Sequence, residues 1–307
     1  MQGPDQIIFH INAACNSACR ICRWHKLRLA GSLPTAELTV EDIREVLKMY
    51  PGVQHVTLSS LGEPLLHAAF DDVLHEVRLH LGDGNINVIT NGSLLHKHLA
   101  ILDAPGSLNI SVDTADKAIH AQMRPGVPLA DVVRNLHLVG YLPRNPRRRV
   151  GIVMVVTEQT KDSVPSVVAL AADAGLDFVA VTRGIGLELS VAPKSEELSA
   201  KDVYAVTAQI DAAQAAHTEL MVQDFFTNET GNLPSTTYPH CLVPWLAMQV
   251  FNDGHVRLCC RAYSVDLGHW SEGAQWGGEK LTRLREQIQE RNIDATEFKD
   301  CAACPMR

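Results

Sequence analysis

Residues 7–22, IIFHINAACNSACRIC, decide how the rest of the chain is read. IIFHINA at 7–13 is apolar and β-branched over the length of one strand, and CNSACRIC follows directly, so three cysteines sit on the loop leaving that strand. In parallel α/β folds, ligands and catalytic groups gather on such loops. Cys15, Cys19 and Cys22, spaced by three and then two residues, can grip three irons of a four-iron cluster and leave the fourth open to an outside ligand. Closed by His25, the same cysteines would instead suit a structural zinc ion.

Outward from this loop the chain alternates short β-rich runs with segments of helical period. Further strands are expected at 53–59, 86–90, 107–112, 150–156 and 177–183. A helix beginning TVEDIREVLKMY offers Thr39 as N-cap, with Glu41 and Asp42 in its first turn, before Pro51 and Gly52 stop it. Six βα units predict an α/β layer or partial barrel. A helix at 199–216 is followed by TNETGNLPSTTYPH at 227–240, whose Asn, Thr, Pro and Gly mark a linker. Beyond it, LAMQVFNDGHVRLCC reads as two strands joined at Asn252-Asp253-Gly254, since Asp-Gly supplies the positive φ of a hairpin turn. A helix at 278–291 and a CAAC tail complete a small second domain.

Composition narrows the function. The chain of 307 residues is 46% hydrophobic and carries a net charge of -8, enough to bury a large core and opposed to binding nucleic acid. Its basic run, Arg144–Arg149, is expected in a solvated loop. With strand-sized apolar runs and no leader-like start, a cytoplasmic protein without a membrane span is expected. Eight cysteines in that compartment point to metal ligation or catalysis rather than disulfides.

The C-x3-C-x2-C loop after the first of six strands resembles the radical S-adenosylmethionine (SAM) superfamily. Other segments extend the resemblance in order along the chain. SSLGEP ends the second strand, so Gly62, Glu63 and Pro64 match the element that binds the SAM amino group, with Leu61 in place of the usual glycine. TNG at 90–92 and SVD at 111–113 are similar to segments lining the SAM pocket, which makes Asn91, Ser111 and Asp113 candidates, and Arg124 resembles an arginine near the SAM carboxylate. Taken singly, Gly62 and Gly92 would be turn glycines and Arg124 a surface charge. The resemblance implies a partial (β/α)6 TIM-like barrel with a 4Fe-4S cluster on Cys15, Cys19 and Cys22.

Cys241, Cys259, Cys260, Cys301 and Cys304 remain, and a terminal C-x2-C with two distant partners permits zinc. The arrangement also resembles the SPASM/twitch auxiliary-cluster module: a Cys ahead of Pro-Trp, another five residues after the hairpin Gly254, and a terminal C-x2-C. DLGH at 266–269 is similar to that module's Gly-Asn turn, with His269 replacing Asn. The resemblance implies a second 4Fe-4S cluster on Cys241, Cys259, Cys301 and Cys304, and domains at 1–217 (barrel), 218–240 (linker) and 241–307 (auxiliary iron-sulfur cluster domain). Cys260 is then left over. Neighbouring strand residues face opposite sides, so Cys259 and Cys260 are not expected to serve one cluster. Alone, Cys260 would be a small buried hydrophobe.

A thiol beside a radical site can return a hydrogen atom to a carbon radical. Cys260 in that role resembles the radical SAM epimerases of antibiotic biosynthesis, which implies a carbohydrate-like small-molecule substrate and an electron donor such as flavodoxin or ferredoxin. Alcohol oxidation, peptide modification and a zinc-stabilised binding protein are the alternatives. His10, Glu158, Arg183 and Glu188, at or beyond strand ends, are candidates to face into the barrel.

Overall fold

The computed structural model describes residues 3–183, 198–226, 241–259, 263–273, 275–302 and 304. In chain order the elements are β1 (Gln6–His10), α1 (Arg23–Leu29), α2 (Val40–Met49), β2 (His55–Ser59), α3 (Phe70–Leu81), β3 (Asn85–Thr90), β4 (Gly106–Ser111), α4 (Lys117–Met123), α5 (Leu129–Tyr141), β5 (Arg148–Val156), α6 (Val164–Asp173), β6 (Phe178–Arg183), α7 (Ala200–Ala216), β7 (Met221–Asp224), α8 (Val243–Leu246), β8 (Ala247–Val250), β9 (His255–Arg257), β10 (Asp266–His269), α9 (Glu279–Gln289) and α10 (Lys299–Ala302). The six strands expected of a partial (β/α)6 barrel are present, with an α-helix after each except β3, which is joined to β4 through the short 3-10 turns Leu95–Lys97 and Leu99–Asp103. Thr39 caps α2 through a reciprocal capping box with Asp42.

Contacts divide the chain into two compact units, one from the described parts of 1–13, 34–87 and 234–307, the other from those of 14–33 and 88–233. In the first, the strand order is β10-β9-β8-β1-β2. β1 is parallel to both β2 and β8, with Ile7 opposite Met248 and Phe9 opposite Val250. These four side chains are buried, each contributing about 1.5–3 kcal/mol, and they explain why a strand some 240 residues away in the chain joins β1. The hairpin at Asn252–Gly254 forms as expected. Gly254 has φ +80, and a Cβ there would lie 2.0 Å from His269 Nε2.

In the second unit β3 is parallel to β4, and β4, β5, β6 and β7 follow in parallel. One face of β4, β5 and β6 is wholly buried, with Leu108, Ile110, Ile152, Met154, Val179 and Val181 all at 0% exposure. The other face presents half-buried Ser107, Asn109, Ser111 and Thr182. That second face is mixed rather than polar throughout, since Phe178 and Ala180 on it are also buried.

Three expectations are corrected. The basic run is not wholly a solvated loop, because β5 starts at Arg148 and its pleat buries that residue completely while leaving Arg149 exposed. Arg144 bonds Asp177 at 2.9 Å. Residues 221–224, inside the stretch expected as linker, form β7, whose edge is held by Gln214: its Oε1 accepts from Val222 N–H at 2.8 Å. DLGH is a bulged strand paired with β9 rather than a turn, with Gly268 at φ +104 absorbing the register shift. The linker stretch 227–240 lies outside the described residues.

Candidate active site

The N-terminal cysteine loop belongs to the second unit and is gripped from two sides. On one side, Ala18 N–H and Arg20 N–H donate to the Pro125 and Met123 carbonyls, both at 2.9 Å, and the Ser17 hydroxyl donates to Pro125 O at 3.1 Å. Gly126 sits against the loop at φ +92, where a Cβ would come within 2.4 Å of the Asn16 carbonyl oxygen. On the other side, Asn16 Nδ2 donates to Ser93 Oγ at 2.9 Å, and Asn91 Nδ2 donates to Asn16 Oδ1 at 2.8 Å. Asn135 of α5 holds that second wall by donating to the Gly92 and Ser93 carbonyls. The backbone leaving the loop is thus fixed while Cys15, Cys19 and Cys22 themselves stay half-buried.

Arg124 follows α4 and is no surface charge. Its Nε donates to Asp113 Oδ2 at 2.7 Å, and Asp113 Oδ1 accepts Val155 N–H at 3.0 Å. Burial acts to lower the guanidinium pKa, but Asp113, then Cys19 and Cys22, outweigh it and hold it above its ordinary value. A fixed positive charge therefore stands within reach of two thiols that a cluster would make anionic. Burial also pushes the Cys22 thiol up, with the negative charge of Cys19 adding to it and the amides of His25 and Trp24 opposing. Asn91 and Asp113 commit their side chains to the cysteine loop and to Arg124, while Ser111 is half-buried at the end of β4.

Gly62, Glu63 and Pro64 belong to the first unit. Leu61 N–H donates to Asn12 O at 3.0 Å, Asn12 Nδ2 donates to Glu63 O at 3.2 Å, and Gly62 N–H donates to Ser60 Oγ at 2.7 Å. Glu63, 2% exposed, caps the single turn Pro64–Leu66 by accepting Leu65 N–H at 3.2 Å. Its carboxylate is held at the C-terminal side of β2.

The C-terminal cysteines also belong to this unit. Cys301 on α10 is buried, and its pKa is pushed up to about 12 by burial first, then by Cys259, Cys241, Cys304 and Asp300. Four cysteines from three separate stretches are therefore brought within electrostatic reach of one another. α9 anchors the first stretch through Arg285, which donates to the Pro244 and Trp276 carbonyls. α10 is tied to the segment after β9 by Ser264, whose N–H and hydroxyl both bond Asp300 Oδ2. Among the described residues no three His, Cys, Asp or Glu side chains converge as on a single ion. A thiol kept neutral by burial and negative neighbours becomes a ligand when a metal supplies the missing positive charge, so the donor chemistry of both cysteine sets suits metal ligation.

Cys260 and Glu188 lie outside the described residues. Glu158 pairs with Lys161 at 2.6 Å, and Arg183 lies over the Phe226 ring at 5.9 Å. His10 is buried and bonds Gln249. Sequence reasoning passed over Asn16, Ser17, Ser93, Gly126 and Asn135. The Asn-Ser between the cysteines and the Pro-Gly after Arg124 were the signals available. No helix among the described residues is long and apolar enough to cross a membrane.

The family profile described as Radical SAM superfamily matches residues 10–171. GTP 3',8-cyclase of Vibrio cholerae is 31% identical over 117 residues, 37% of this chain and 35% of that enzyme. The Erythrobacter litoralis enzyme of the same name is 33% identical over 126 residues, 39% of this chain and 37% of its own length. The chain thus spans little more than a third of these relatives. Streptococcus suis SuiB bound to S-adenosylmethionine superposes with a TM-score of 0.72 at 14% identity, over 92% of this chain and 65% of SuiB. For anSMEcpe with bound AdoMet and a peptide the values are 0.69 and 17%, over 99% and 90%. At these identities the likeness is one of fold.

Proposed function

The chain belongs to the radical SAM superfamily, and from that premise we propose that this radical SAM enzyme is an epimerase that inverts a carbon stereocentre of a sugar or aminoglycoside-type natural product. Cys15, Cys19 and Cys22 hold the SAM-binding cluster in this reading, and Cys241, Cys259, Cys301 and Cys304 hold an auxiliary 4Fe-4S cluster in a C-terminal domain from 241. When bound, SAM and the reduced cluster supply a radical able to take a hydrogen atom from an unactivated C–H bond. The residues of the chain do the rest. Glu63 would hold the SAM ammonium by a charge-assisted bond, and Arg124, oriented by Asp113, would supply positive charge for its carboxylate. Cys260 then gives the hydrogen atom of its S–H bond to the opposite face of the substrate carbon. The sulfur radical left on Cys260 takes one electron from a flavodoxin- or ferredoxin-class donor and one proton from solvent, which restores the thiol.

The observation supporting this reading is the company of Cys301: Cys259, Cys241 and Cys304 complete a four-thiol set with it, so the count of eight cysteines leaves Cys260 for chemistry. The resemblance to neomycin C epimerase and the acidic chain favour a cationic, carbohydrate-like substrate. The test is Cys260→Ala, in heavy water with aminoglycosides. It should still form 5'-deoxyadenosine but release no inverted product, whereas wild type places one solvent deuterium at the inverted carbon. Cys259→Ala should instead lose iron. A product two hydrogens lighter, or normal turnover by Cys260→Ala, replaces the epimerase with an alcohol dehydrogenase or a peptide-modifying enzyme.

A further inference from the structure

His10 is the last residue of β1, on the strand end where parallel sheets receive ligands. It is 6% exposed. Its ring stacks on Phe251 at a centroid distance of 4.4 Å, and its Nε2–H donates to Gln249 Oε1 at 2.8 Å. With Gln249 in this orientation its Oε1 accepts from Nε2–H, and Nδ1 carries the ring's lone pair. Nδ1 is fully buried and has no hydrogen-bond partner in the structure. Leaving a buried acceptor unsatisfied costs about 1–3 kcal/mol; His120 carries the same orphaned Nδ1, so what sets His10 apart is its place at the C-terminal end of β1.

The surroundings keep the ring neutral and rigid. Burial, partly offset by the Gln249 bond and reinforced by Arg257, lowers the His10 pKa to about 4. Arg257 is itself clamped, with its guanidinium over Phe251 at 5.0 Å and over Tyr263 at 4.5 Å and both terminal nitrogens on Asp253 at 2.8 and 2.7 Å. Asp253 is ion-paired with that guanidinium and offsets part of its charge. His10 is also well placed along the sheet. On one side it pairs with Ser59, three residues before Gly62. On the other it meets β8 and the hairpin that leads to Cys259.

We infer that His10 binds substrate, its Nδ1 accepting a hydrogen bond from an ammonium or hydroxyl group of the compound held between the Gly62–Pro64 element and the hairpin. This assignment deepens the proposed function and rests on its reading that the substrate carries amine or hydroxyl donors. A neutral imidazole accepts from an ammonium without repelling it, which a protonated histidine would not.

The experiment compares reconstituted wild type with His10→Phe, which keeps the stack but loses the acceptor, and with His10→Asn, whose Oδ1 occupies the Nδ1 position. An aminoglycoside, a cysteine-containing peptide and GTP are each tested for acceleration of 5'-deoxyadenosine formation, and KM and kcat are measured on whichever accelerates it most. His10→Phe should raise KM about tenfold or more with a smaller change in kcat, His10→Asn should recover most of that loss, and iron content and SAM affinity should match wild type in both. An unchanged KM in His10→Phe, whether or not its melting temperature falls, reduces His10 to a packing residue with an ordered water on Nδ1 and overturns the inference. A peptide or GTP as the best compound sinks the aminoglycoside reading instead, and the KM comparison still judges His10.

Discussion

The two cysteine sets solve different problems. Cys15, Cys19 and Cys22 lie within eight residues of sequence, half-buried, on a loop whose backbone is held by Pro125, Met123, Asn91 and Ser93. Cys241, Cys259, Cys301 and Cys304 come from stretches as much as 63 residues apart and meet only because α9 and α10 pack where they do; one of them is buried and hard to ionise. A local loop can leave one metal position open for an exchanging ligand, since its geometry survives without the fourth donor. A set assembled from distant segments is closed and ties those segments together, as structural metal sites do. On the proposed function, the first set is the working site and the second a supporting one that also contributes to stability.

The sharpest break of this comparison is to remove the first set. Cys15→Ala, Cys19→Ala and Cys22→Ala together should abolish SAM cleavage and take the iron content from about eight per chain to about four, while the melting temperature changes little. Stoichiometric zinc in place of iron after anaerobic reconstitution would refute both cluster assignments at once. Removing the second set should act in the opposite sense. Cys301→Ser is expected to lose a similar share of iron and to lower the melting temperature more than the triple variant does, yet to retain slow, substrate-free 5'-deoxyadenosine formation. If the triple variant proves the less stable of the two, the division into working and supporting sites is wrong.

A smaller perturbation tests whether the loop's backing matters. Gly126→Ala places a methyl against the Asn16 carbonyl and forces a non-glycine residue to positive φ, at a cost of about 1–2 kcal/mol. Iron should load onto the N-terminal set more slowly, as iron counts in the Cys301→Ser background would reveal, and SAM affinity should fall.

Much of this was legible in the chain itself. The strands β1–β6 announce themselves by apolar alternation, and Thr39 with Asp42 announces the start of α2, because both signals lie within one turn or one pleat. Cys15, Cys19 and Cys22 are equally local. The misread segments are those whose meaning depends on a partner far away in sequence. MVQD at 221–224 is too short to declare itself a strand without β6 and Gln214, and Arg148 looks like one more exposed arginine until the register against β4 buries it.

The sequence by itself determined the α/β order, the caps, the hairpin at Gly254 and the spacing of the first three thiols, since each follows from backbone sterics and side-chain period over a few residues. Only the tertiary structure decided that Arg124 is pinned by Asp113, that Asn16, Asn91, Ser93 and Asn135 brace the cysteine loop, and that Gln249 reaches across 239 positions to bond His10. The reason is physical: a hydrogen bond between distant residues leaves no periodic trace in the chain. Its direction and burial exist only once the packed core has brought its partners to the same place.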